Sequence, residues 1–382
     1  MFDPESLTRL REEVRETTVQ NRRLLERLLA EVEVMRDASV RIQPRTTTSI
    51  SLVASDGGNN RAEFNPFELQ IVRVMDSHGV ELMTKVVSPH TDLEELAEWH
   101  LSPTRPDDPL GLLMRDLGCR TLYELSPMLN NDPEKKSPGW PLVYRDLCEW
   151  AVLYQLITTT RWGSDTLIVR DGLLRSKIFQ GDLFVQMYRR IMEAIEGTKR
   201  SRRRDVYLVG IAKHTEVLQR YSTAMSVQQI FPVGHPLYAP VPYALQKEAY
   251  KWPEYIRSPV VEEDAEGKED PKFNIGSMHF VRFGSQASDP IWTADLLHDQ
   301  AGDAQKIFGC LLGDAVEGFP VPFYPLCLQR ADEYAHVVGL DMDILRDELA
   351  SAVRDLLGDA KRQQIMDGLM LAYSDIASRR YA

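Results

Sequence analysis

Four residues stand where strands and a helix could bring chemistry together: Asp56 in SLVASDGGNN, Asp171 in DTLIVRDGLL, Glu149 in DLCEWAVLYQLI and Lys213 in LVGIAKHT. Two β-prone runs end on an aspartate, and glycine follows each at once. Carboxylates delivered to one place by separate strands repel one another unless a proton or a cation stands between them. A divalent ion is the natural bridge, and hard oxygen donors suit Mn2+ or Mg2+. Glycines beside the aspartates leave room for an ion, a water and a phosphate. Lys213, at the end of a third strand, offers a cation to that phosphate or to charge developing on it. Taken singly, each feature has an ordinary use: Asp-Gly makes turns, Glu149 decorates a helix and Lys213 caps a strand. The set is what points to metal chemistry.

The elements that must position these residues follow from periodicity. Leu7, Leu10, Val14, Leu24, Leu25, Leu28, Leu29, Val32 and Met35 recur at helical spacing, so residues 5–36 are expected as one long helix. Thr17, Thr18 and Asn21 interrupt its stripe, against a regular coiled coil. The helix packs on its own domain or serves as a dimer or partner arm. Residues 45–88 read as three strands, the first ending at Asp56 and the last two joined as a hairpin at Asp76-Ser77-His78-Gly79. Residues 91–160 read as helical, 165–174 and 205–215 as strands, 181–197 as an amphipathic helix and 277–284 as a short strand. The stretch 232–272 is rich in Pro, Tyr and charge and reads as a loop insertion. From 300 onward the pattern is helical, broken at EGFPVPFYP. Strands mixed with helices, the first strands consecutive, predict an α/β fold with a mixed sheet.

Bulk properties bound the function. The chain has 382 residues, 43% hydrophobic and 27% charged, with a net charge of −12, a soluble globular profile with a sizeable core. No apolar run approaches the roughly 20 residues of a membrane span, and the charged start MFDPESLTRLREEV has no signal-peptide core, so the expectation is a cytoplasmic protein without a membrane. Cys119, Cys148, Cys310 and Cys327 are scattered, which argues against a zinc cage or a disulfide framework. No GxSxG, CxxC or Walker A motif occurs. The acidic balance does not suggest a general nucleic-acid coat, because phosphate binding rewards local positive charge. One local basic run, Lys199, Arg200, Arg202, Arg203 and Arg204 in TKRSRRRD, is either a DNA-binding patch or a solvated turn.

The order of these motifs (strand with DGG, helix with Glu, strand with RDGLL, strand with VGIAK, then Tyr324-Pro325 leading into a helix) resembles the NurA nuclease family across about residues 45–340. The resemblance implies an RNase H-like mixed sheet flanked by helices, with helical insertions and an N-terminal long helix. It divides the chain into an N-terminal helix at 1–44, a nuclease domain at 45–340 with a helical insertion at 91–145 and the loop insertion at 232–272, and a C-terminal helical segment at 341–382. It assigns Mn2+ ligation to Asp56, Glu149 and Asp171, with Asp146 competing for the place of Glu149. A last ligand comes from the late helix. There Asp332 stands where the family usually has His, and His336, one turn on, is the fallback; apart from the resemblance, His279 in SMHFVRF could point into the site from a strand. The implied activity is metal-dependent cleavage of DNA, as a 5′→3′ exonuclease and single-strand endonuclease, with Lys213 on a phosphate. The implied setting is a homodimer working with a HerA-type hexameric ATPase in DNA end processing or anti-phage defence. The rival readings are a catalytically inactive adaptor for a ring ATPase and a metal-dependent phosphoesterase acting on RNA or a nucleotide.

Overall fold

The computed structural model describes residues 3–45, 50–64, 67–132, 134–250, 274–337 and 340–357. In chain order the elements are α1 (Pro4–Gln20), α2 (Arg22–Glu33), β1 (Val40–Arg41), β2 (Ile50–Phe64), β3 (Phe67–Asp76), β4 (Glu81–Val87), α3 (Leu93–Leu101), α4 (Pro109–Leu117), α5 (Leu122–Leu125) and α6 (Trp140–Thr159). They continue with β5 (Asp165–Asp171), α7 (Leu183–Arg202), β6 (Val206–Ala212), α8 (Glu216–Val227), β7 (Leu237–Pro240), α9 (Tyr243–Ala249), β8 (Gly276–Arg282) and β9 (Trp292–Leu297). A 3₁₀ turn (His298–Asp303), α10 (Ala304–Val316), α11 (Leu326–Ala335) and α12 (Leu340–Leu357) complete the described chain. This is the expected mixed α/β class. No helix among the described residues is long and apolar enough to cross a membrane.

Two compact units interleave along the sequence. One comprises Met1–Leu52, Ser164–Lys177 and Tyr207–Leu326; the other comprises Val53–Gly163, Ile178–Val206 and Cys327–Ala382. In the first, the strands lie in the order β1-β7-β8-β9-β6-β5. The pairs β1–β7, β7–β8, β8–β9 and β9–β6 are antiparallel. β6 and β9 are buried along their whole length, which is why they read as continuous apolar runs. An apolar cluster joins Val32 of α2 and Met35 just after it, Val217 and Tyr221 of α8, and Ala239, Met278 and Phe280 of β7 and β8. In the second unit, β2, β3 and β4 form an antiparallel meander. Asp76 makes the expected hairpin turn: its Oδ1 accepts the N–H groups of His78 and Val80, both at 2.8 Å. α6 buries Tyr144, Leu147, Cys148, Trp150, Ala151 and Tyr154, and so carries Glu149 on a helix almost wholly inside its unit. His100, fully buried, bonds Asp108 (2.8 Å) and the Tyr144 hydroxyl (2.7 Å), tying α3, α4 and α6 together.

Four expectations change. The long N-terminal helix is two helices broken at Asn21, one of the interrupting residues. The first strand does not end at Asp56 but runs on through DGGNN to Phe64, paired with β3 residue for residue from Ser55 to Phe64. The presumed loop 232–272 contains β7 and α9; β7 belongs to the sheet, and its few residues among prolines hid it. The run VEEDAEGKEDPK, the start of the first strand at 46–49 and the end of the C-terminal segment beyond 357 lie outside the described residues. The strand β9 was missed altogether. No disulfide links the four cysteines, and burial pushes the Cys119 thiol up to about 11, which suits a packing role.

Candidate active site

In the second unit the site begins with β2. A Cβ on Gly57 would overlap the Glu149 side chain, lying 2.7 Å from its Cγ and 2.8 Å from its carboxyl carbon. A Cβ on Gly58 would run into the backbone carbonyl of Ala335, the last residue of α11. The two glycines thus stay extended within a strand because α6 presses on one face and the end of α11 on the other. Asn60 fixes the second contact. Its amide nitrogen donates to the Ala335 carbonyl (3.0 Å) and its Oδ1 accepts the Val337 N–H (2.7 Å). Strand alternation starts Asp56 on the side of Gly58 and Asn60. Its Oδ1 turns back to accept the Gly57 N–H at 2.8 Å.

Of the two acidic residues on α6, Glu149 is the one whose carboxylate meets β2. Its side chain is 13% exposed, and Arg145, one turn earlier, places Nε 3.2 Å from Oε1. That i,i+4 pair was legible in the sequence. Asp332 is half-buried on α11, and His336 lies just past the helix end, exposed, with its N–H still on the Asp332 carbonyl (3.1 Å). Asn60 therefore anchors the segment carrying His336 directly to the strand carrying Asp56. Nothing in the sequence singled out Asn60.

In the first unit the site is the end of β5. Asp171 closes the strand, and Gly172 follows with φ +104°, a backbone state open to glycine and strained for other residues. The Gly172 N–H donates to the Ile211 carbonyl of β6 (2.8 Å). Both oxygens of Asp171 have partners: the Lys213 ammonium stands 3.3 Å from Oδ2, and the Tyr324 hydroxyl 3.0 Å from Oδ1. Tyr324 is fully buried, its ring packed edge-on to Trp292 at 4.9 Å. The hydroxyl also lies 3.3 Å from the Ile211 carbonyl, but the closer, charged carboxylate is the better acceptor. Lys213 sits 4.9 Å from the Tyr324 ring centroid, so one aromatic ring orders both the acid and its cation. The sequence marked Tyr324 as part of a motif without giving it this task.

The basic run lies in the second unit and is the end of a helix rather than a turn. Lys199, Arg200 and Arg202 occupy the last turns of α7, Arg203 is its left-handed cap, and Arg204 follows. Lys199 pairs with Asp205 (3.1 Å) and Arg200 stands 3.9 Å from Glu196. Cations here complement the negative end of the helix dipole, a structural reason for the run that needs no ligand. His279 is 5% exposed on β8, stacked near Tyr238 and Phe308. In the strand order β9 and β6 separate β8 from β5, about 14 Å at the usual spacing, so His279 is not a ligand beside Asp171.

The donor chemistry suits a hard divalent ion: Asp56, Glu149 and Asp171 are partly accessible carboxylates, and no thiol is among them. Among the described residues, no group of three or more His, Cys, Asp and Glu side chains could hold an ion together. Glu149 and Asp171 each have a basic side chain at hand, Arg145 and Lys213.

No protein-family model and no curated protein matches the sequence. Among solved structures, the chain is similar to the NurA nuclease from Sulfolobus solfataricus, at 11% identity and TM-score 0.39, with 91% of this chain and 98% of that chain covered. It is similar also to a NurA bound to dAMP and manganese, at 12% identity and TM-score 0.38, over 96% of this chain and all of that one. The similarity covers most of the chain. At this identity and TM-score it transfers no residue role.

Proposed function

We propose that the chain is a divalent-metal-dependent nuclease that hydrolyses phosphodiester bonds of DNA. The observation that carries this reading is that α6 holds Glu149 against β2 at Gly57, the residue that follows Asp56 in the strand, where no side chain fits. Glu149 is 13% exposed against the strand, so its charge calls for a cation; Arg145 supplies one, and a divalent ion could take that place. Asp56, Glu149 and Asp171 would supply the oxygen donors, with Asp332 or His336 as the further ligand. A bound Mn2+ or Mg2+ would lower the pKa of a water and neutralise charge on the phosphate. The protein's own groups do the rest. Tyr324 holds Asp171 in one orientation through Oδ1, leaving Oδ2 for a cation. Lys213, 3.3 Å from that oxygen, is the cation that would be free to meet a phosphate if a metal held Asp171. The basic end of α7 offers backbone-phosphate contacts without base preference.

The wider setting belongs to the same proposal: a cytoplasmic homodimer cutting DNA as a 5′→3′ exonuclease and single-strand endonuclease, alongside a HerA-type hexameric ATPase, in end processing or anti-phage defence. The chain has no Walker A motif of its own, so translocation must come from such a partner. One observation favours a second reading, an inactive adaptor: Arg145 and Lys213 already balance Glu149 and Asp171. Labelled single-stranded DNA incubated with Mn2+, with and without the ATPase, separates the two. Cleavage that falls on the order of a hundredfold or more in Asp56→Ala and Asp171→Ala supports the nuclease. No cleavage under either condition favours the adaptor.

A further inference from the structure

The first unit contains a cavity of about 670 Å³ that the nuclease chemistry does not use. It opens between β1, β7, β8, α9 and the 3₁₀ turn, and its volume lies in the range of small-molecule sites. None of the described residues lining it is Asp, Glu, Lys or Arg. Arg175 is itself neutralised by Asp295, at 2.8 and 3.0 Å, with both side chains buried. His298 and Ser277 bond each other (2.9 Å), and three further lining groups, His279, Gln246 and Asn274, each keep a hydrogen-bonding position. His279 donates Nδ1–H to the Ser277 carbonyl (2.9 Å), which fixes the tautomer and leaves Nε2 as a bare acceptor in a residue 5% exposed. Burial pushes the His279 pKa down, so the imidazole stays neutral at neutral pH. Gln246 donates Nε2–H to the Val241 carbonyl (2.9 Å), leaving its Oε1. Asn274 accepts the Gly276 N–H on Oδ1 (2.8 Å), leaving its amide N–H groups. Among the described residues no partner takes these three remaining positions. Tyr238 lines one wall, and Tyr243, 44% exposed, stands at the rim.

We propose that this cavity binds an uncharged aminopurine ring, as a nucleoside or free base. A charged phosphate would find no Lys or Arg among the described residues that line the cavity. An aminopurine offers N–H donors to His279 Nε2 and Gln246 Oε1, a ring-nitrogen acceptor to Asn274, and a flat face to the tyrosines. The site is separate from Asp171 by two strands in the sheet order and stands whether or not the chain is a nuclease.

Calorimetric titration of the full chain tests this, with adenosine against AMP, in EDTA so that no metal contributes. Saturable adenosine binding at one site, with AMP at least about tenfold weaker, supports the proposal. His279→Phe should weaken adenosine by about tenfold, and Tyr243→Ala by about fivefold. Tyr243 is at the rim, so its variant keeps the test sound if the buried His279 variant does not fold. Absent adenosine binding by folded wild-type chain, AMP binding as tight as adenosine, or unchanged affinity in Tyr243→Ala would each overturn it.

Discussion

Two stretches share the letters Asp-Gly and differ in almost everything else. At Asp171-Gly172 the strand stops: the glycine takes φ +104°, and the carboxylate is held by Lys213 and Tyr324. At Asp56-Gly57-Gly58 the strand continues for eight residues beyond Asp56, and the glycines are extended. In the first case glycine supplies a backbone conformation; in the second it supplies space, for Glu149 on one side and the Ala335 carbonyl on the other. The lesson is that a glycine after a catalytic-looking aspartate has two separate physical explanations, and only the neighbours tell them apart.

That contrast can be broken by mutation. The largest stability effect is expected at Gly58→Ala, because the obstructing atom is a backbone carbonyl that cannot rotate away. A loss of about 3 kcal/mol by chemical denaturation is expected. Gly57→Ala meets a side chain with freedom to swing, so it should cost roughly 1 kcal/mol while displacing Glu149. Equal costs at the two positions would show that the faces of β2 are not covered as described.

Gly172→Ala tests the other explanation. It forces a non-glycine residue to φ +104° and crowds Arg170 Nη1, for an expected loss of about 1–2 kcal/mol, with the midpoint shifted and the denaturant slope unchanged. Tyr324→Phe removes the hydroxyl from Asp171 without changing the core volume. A cost of about 1 kcal/mol is expected, with cleavage reduced while DNA binding is retained. If Tyr324→Phe altered neither, Lys213 alone would suffice to orient the acid.

The smallest effect concerns pH and the sheet away from both aspartates. His279 and His298 are pushed below the ordinary 6.5 chiefly by desolvation. The unfolded chain then takes up protons that the folded chain refuses. Stability from this source is complete above about 6.5 and declines as pH falls below it. Replacing His279 with Phe should flatten the acid-side decline in a pH series of denaturation curves by up to about 1 kcal/mol.

Local periodicity carried much of the fold. The hairpin at Asp76 was legible from its turn residues, α6 from its apolar helical run, and β5, β6 and β8 from short β-prone apolar runs, since strands buried on both faces need not alternate. β7, β9 and the break at Asn21 were less so: β7 is four residues among prolines, and one unfavourable residue divides a helix without erasing its stripe. At the site, residue types sufficed to select Asp56, Glu149, Asp171 and Lys213 as candidates, since carboxylates and a cation at element ends are visible in one dimension. They gave no hint that Asn60 clamps the end of α11, or that Tyr324 holds Asp171.

By itself the amino-acid order determined most of the elements, though not β7, β9 or the break at Asn21, and which of them carry charge, because those depend on neighbours a few residues away. Only the tertiary structure decided why Gly57 and Gly58 must be small and which hydroxyl steadies Asp171. Those answers rest on contacts between residues far apart in the chain, Gly57 with Glu149 and Asp171 with Tyr324, and excluded volume acts only where two pieces of chain meet.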